Sequence, residues 1–134
     1  MALKFARPDG VNPSVVHLAE ALAGAATTDV ADRGTSHKVN ATVVRICAGA
    51  GATPTCTYAI QVSADNSNWV QATFADSATP TVDVTATFAL TSDTTVKKIV
   101  KHAQVWRYIR VVTTANTNVT NWIDVLYNDG DAWV

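Results

Sequence analysis

Two cysteines, Cys47 and Cys56, are the residues of this 134-residue sequence whose spacing most invites chemistry. They flank a short stretch containing Gly49, Gly51 and Pro54, so a hairpin there would set them opposite one another. Facing strand positions fall within the Cα separation a disulfide requires. Closing a loop of about ten residues would stabilise the fold by roughly 2.7 kcal/mol on the chain-entropy argument. The alternative is a pair of small buried thiols in a reducing cytosol.

Other reactive side chains are thinly spread. Glu20 is the sole glutamate, and His17, His37 and His102 each stand alone in their segments. No HxH, HExxH or CxxC spacing marks a metal site. No serine sits in a GxSxG elbow. Asp65, Asn66 and Asn68 echo part of a calcium loop but lack its glycine and distant glutamate, so they read as a hairpin turn. The basic residues concentrate at Lys97, Lys98, Lys101, Arg107 and Arg110, with Trp106 and Tyr108 interleaved. That mixture suits base stacking, yet the formal net charge is −1 and no nucleic-acid motif accompanies it. A solvated or partner-facing strand edge is the preferred reading, since edge lysines block uncontrolled strand pairing. The expectation is a protein with no catalytic residues, no cofactor, no metal and no nucleic-acid or membrane partner.

The elements that would carry these residues are strands. Only 16% of the residues are charged, against 48% hydrophobic, and the branched Thr and Val that fill the gap favour pleated surfaces. Thr81 to Leu90 alternates cleanly, placing Val82, Val84, Ala86, Phe88 and Leu90 on one face. Burial of its four large side chains would contribute roughly 6–12 kcal/mol. Cys56, Tyr58, Ile60 and Val62 alternate likewise, stop at the polar run 64–68, and resume at Val70, Ala72 and Phe74, which predicts a hairpin over 56–74. Further strands are expected at 39–47, 95–103, 107–114 and 121–127, with turns at 49–51, 75–80, 92–94 and 115–118. Residues 14–26 suit helix by propensity and strand by alternation, and strand fits the layer scheme better. The predicted fold is all-β: a single-domain antiparallel β-sandwich, jelly-roll-like, of about eight strands.

Residues 15–128 form that domain, preceded by an extended arm at 1–14 and followed by a tail at 129–134. The tail carries an aromatic residue, Trp133, for which docking is more favourable than exposure. The start of the chain lacks the apolar core of a secretory signal, and no apolar run reaches the roughly 20 residues that span a bilayer. Synthesis in a cytoplasm is expected.

Two patterns carry a resemblance. Tyr58-Ala-Ile-Gln-Val-Ser-Ala-Asp-Asn-Ser-Asn-Trp69, followed by Arg107-Tyr-Ile-Arg-Val111, is similar to a theme of discoidin-like and carbohydrate-binding sandwiches. Added to the small-residue strand before Thr27-Thr-Asp-Val-Ala-Asp32 and the Thr/Ala-rich strands, the layout over roughly residues 15–128 resembles small jelly-roll cementing or decoration proteins of tailed-bacteriophage heads, the Bordetella phage cementing-protein type included. The resemblance implies a non-enzymatic virion protein, made in the host cytoplasm and placed on the outer capsid surface. Its partners would be the major capsid protein and its own copies, as a homodimer or homotrimer. Phe5 and Arg7 in the arm, and Trp133 and Val134 in the tail, are the candidate contacts. A sugar-binding module using Trp69, Trp106 or Trp122, and a tail or head–tail connector subunit, are the alternatives.

Overall fold

The computed structural model describes residues 3–4, 14–22, 26–28, 30–32, 39–102 and 105–129. Ten strands occur among them: β1 Leu3–Lys4, β2 Ser14–Leu22, β3 Ala26–Thr27, β4 Ala31–Asp32, β5 Val39–Ser63, β6 Val70–Gln71, β7 Phe74–Asp76, β8 Phe88–Leu90, β9 Thr94–Val100 and β10 Tyr108–Asp129. All pair antiparallel. The segment whose sequence allowed helix or strand is strand from Ser14 to Leu22. Part of the N-terminal arm, Leu3–Lys4, pairs along its outer edge.

Two long strands organise everything else. β5 has 25 residues and β10 has 22, and they pair from Tyr108↔Ser63 at one end to Asp129↔Val39 at the other. The ribbon bends in the middle, where the register shifts between Thr114 and Val119. Thr53 on one strand, and Ala115 and Asn118 on the other, adopt positive φ there. Asn118 Nδ2 donates to the Ala52 carbonyl at 2.8 Å. Asn116 closes its own loop, donating to Val119 O at 2.9 Å and accepting from Val119 N at 3.1 Å. Asparagine tolerates the left-handed region because its short amide bonds locally. Gly51 sits where an added Cβ would come within 3.3 Å of Asn118 Cβ, so the two strands approach closely at this corner. Strands that switch layers through such bends are a known way of building sandwich corners.

Each half of the ribbon therefore belongs to a different layer. In the first, residues 119–129 of β10 pair with β2 on one side and with residues 39–50 of β5 on the other, and β9 and β7 extend the sheet. In the second, residues 108–114 of β10 lie between β3 and β4 on one side and residues 57–63 of β5 on the other, with β6 and β8 beyond. The core between them gathers Ile123, Val125, Val100 and Phe74 from the first layer and Tyr58, Ile60, Val62, Ile109 and Val111 from the second. This is the single-domain antiparallel β-sandwich that the alternation predicts.

Three expectations are corrected. The turns foreseen at 49–51 and 115–118 are corners within continuous strands, so four of the expected strands are the halves of β5 and β10. Cys47 and Cys56 consequently lie along one strand and not across a hairpin, and Cys56 is a free, buried thiol. The strand expected over Thr81–Leu90 is paired as a strand only at Phe88–Leu90, plus one bridge at Val84 to Phe74. Val82 is 56% exposed and Val84 38%, so the large burial expected of that face is not realised. The hairpin after Cys56 is present, through Gln61↔Gln71 and Val62↔Val70, but Phe74 leaves it to join the first layer.

Candidate functional site on the outer face of the second layer

The polar run after Ser63 builds the hairpin turn from its own side chains. Ser63 Oγ accepts from the backbone N–H of Asp65 and Asn66. One oxygen of Asp65 accepts from the N–H groups of Ser67 at 2.9 Å and Asn68 at 2.8 Å, and the other from Asn68 Nδ2 at 2.7 Å. Those donors, the backbone N–H of Asn68 and Ser67 first, hold the Asp65 carboxyl well below the usual carboxylate range. Asn66 takes the left-handed conformation. The calcium-loop alternative rejected from sequence has its acidic group already committed to this turn.

The turn delivers Trp69 to the outer face, where Arg110 stacks on it with Cζ 4.2 Å from the ring centroid. Arg110 Nε also donates to Gln61 Oε1 at 2.7 Å, its partner in the ladder. Gln71 continues the row on β6. The two segments that the sequence paired as a theme, 58–69 and 107–111, thus meet in one arrangement. The cluster sets a guanidinium, an indole and two side-chain amides together on one face.

Of the other basic residues singled out, Lys97 is exposed, while Lys98, Lys101 and Arg107 are engaged within the fold. Lys98, nearly buried, forms an ion pair with Asp76 and lies over Phe88 and Phe74, 4.6 Å and 5.5 Å from their centroids. Lys101 reaches Asp83 at 3.3 Å and the Pro80 carbonyl at 2.8 Å. Arg107 grips Asp32 through Nε at 2.8 Å and Nη2 at 3.1 Å, which ties β4 to the start of β10. Trp106 packs against the core. Arg107 also lies over the Tyr108 ring, 5.1 Å from its centroid. β9 is not simply an edge, because β7 covers Lys98 to Val100.

Cys56 belongs to a buried polar cluster that sequence reasoning missed. The Tyr58 hydroxyl donates to Asn121 Oδ1, and Asn121 Nδ2 lies 3.8 Å from Cys56 Sγ. Burial, with the Cys56 thiol adding, raises the Tyr58 phenol above its ordinary range. The periodic placement of a polar Asn121 between Val119 and Ile123 was the available signal. His102 is exposed in a turn. Cys47 lies on β5 opposite Trp122, which is 44% exposed. Phe5, Arg7, Trp133 and Val134 lie outside the described residues. Among the described residues, no three His, Cys, Asp or Glu side chains group as metal ligands.

No family model and no curated protein matches the sequence. Among solved structures, the crystal structure of the SPBc2 prophage-derived protein YomS matches with a TM-score of 0.58. The match covers 87% of this chain and 94% of that one at 5% identity. The likeness establishes a shared fold across nearly the whole length of both.

Proposed function

We propose that this protein is a non-enzymatic structural component of a tailed-phage virion, a cementing or decoration protein seated between major capsid subunits. The observation that carries the reading is the fold shared, nearly end to end, with a prophage-derived protein. The low charge supports it, because a surface to be covered by neighbours must be cheap to desolvate. Binding at subunit junctions stabilises a shell by linkage, since the ligand favours the assembled state. The protein is made in the host cytoplasm and ends on the outer capsid surface, where Phe5, Arg7, Trp133 and Val134 contact the shell.

The test is co-sedimentation with shells of the major capsid protein from the same genome. Saturable binding at a fixed ratio, with a higher melting temperature of the shell, is the expected result. Shells that sediment without it overturn the reading.

The exposed Trp122 favours a second reading, a sugar-binding module, because an accessible indole stacks on sugar rings. Glycan-dependent quenching of tryptophan fluorescence, lost in Trp122→Ala, would select it over the first.

A further inference from the structure

Arg110 is held from two sides and left open on a third. Its Nε donates to Gln61 Oε1 at 2.7 Å, and its Cζ stands 4.2 Å from the centroid of the Trp69 ring. Its two terminal NH2 groups meet no partner among the described residues. The acids of the neighbouring segments do not neutralise it either: Asp32 is gripped by Arg107, and Asp65 gives its oxygens to the turn. Two residues further along the same face the side chains shrink. Ala59 and Val112 face one another there, half-buried, and Thr57 and Thr114 form the following row. The Arg110–Gln61 row and the threonine row stand roughly 14 Å apart, four residues at about 3.4 Å each. The result is a shallow apolar floor, with a guanidinium and the amides of Gln61 and Gln71 at one end and hydroxyls at the other.

We propose that this face binds a carboxylate-bearing sugar, of the class of a uronic acid residue in a polysaccharide. The open edge of the guanidinium offers parallel N–H donors that match the two oxygens of a carboxylate. Gln61 and Trp69 set its orientation in advance, so little is lost in ordering it. A single uncompensated positive charge suits a monoanion. A phosphate dianion calls for further cations, and Arg107 is already engaged with Asp32. The apolar floor and its neutral hydrogen-bonding rim suit the C–H face and the hydroxyls of a sugar ring. An acidic peptide would present several carboxylates to one cation, a poorer match. The proposal does not rest on capsid binding, and its site lies on the opposite layer from Trp122.

Isothermal titration calorimetry of the full chain with oligogalacturonate, alginate oligomers and sialyllactose tests it. At least one is expected to bind, and its methyl ester to bind roughly tenfold more weakly or worse, because the ester removes the charge. Arg110→Lys keeps the cation and loses the fork, and should weaken binding by roughly tenfold as well. Gln71→Ala, at an exposed position, should weaken it severalfold with the melting temperature unchanged. Trp122→Ala should bind as the wild type does. Absence of binding to all three sugars overturns the proposal, as does equal affinity for acid and ester. Binding that survives both Arg110→Lys and Gln71→Ala but is lost in Trp122→Ala overturns the site. Tetra-aspartate bound as tightly as the sugar overturns the ligand class.

Discussion

Tyr58, on the second layer, gives its hydroxyl hydrogen to the side-chain oxygen of Asn121, on the first, across a separation of 63 residues in sequence. Both side chains are fully buried. The bond joins the two halves of the bent ribbon across the core, and Phe88 stacks on the Tyr58 ring, 5.3 Å between centroids. Tyr58→Phe keeps that packing and removes only the donor. It should cost about 1–3 kcal/mol, because a buried acceptor loses this donor. Urea unfolding read as a midpoint shift at constant slope checks this.

The corner makes a different prediction. Asn118 combines a left-handed backbone with a side-chain bond to Ala52. Asn118→Ala forfeits both and should lose about 2–3 kcal/mol, the sum of a net hydrogen bond and a left-handed penalty. Asn118→Gly forfeits only the bond and should lose about 1 kcal/mol. Equal losses in the two variants would mean that the backbone conformation contributes nothing.

Lys98 and Asp76 should respond unequally to substitution. The lysine side chain is 9% exposed and the aspartate 54%. Asp76→Ala strands a buried cation, whereas Lys98→Met leaves a carboxylate that water can solvate. Thermal melts should therefore show Asp76→Ala as the more destabilised, with Lys98→Met near or above wild type. The reverse order would show that the aspartate does not support the lysine.

Asp65 sets an acid limit on its turn. Its folded carboxyl is held below the unfolded value, so its contribution is present above the ordinary carboxylate range and declines as pH falls through the lowered pKa. The stability difference between wild type and Asp65→Ala should be constant near neutrality and shrink in strong acid. A difference independent of pH would contradict the link between charge and turn.

Much of the fold was legible because alternation reports burial directly. Cys56, Tyr58, Ile60 and Val62 were placed on one face by period two alone, and all are fully buried. The same rule misled at Val82 and Val84, since alternation records a strand-compatible face and not the presence of a partner to cover it. The Cys47–Cys56 hairpin was misread for a related reason. Gly49, Gly51 and Pro54 signal a change of direction, and a reversal and a corner use the same residues locally. What separates them is the matching bend at Ala115–Asn118, far away in sequence. For the candidate site, both halves of the Trp69–Arg110 arrangement were noticed as motifs, but only the Arg110↔Gln61 register brings them together.

The shared ribbon also governs when the chain can fold. β10 follows every other strand in sequence, yet it is the central partner of both layers. During synthesis, residues 39–63 must wait for residues 108–129 before either layer has its middle. Their pairings are among the most distant in the chain, a topology associated with slow folding. Assembly of both layers thus awaits the synthesis of residues 108–129.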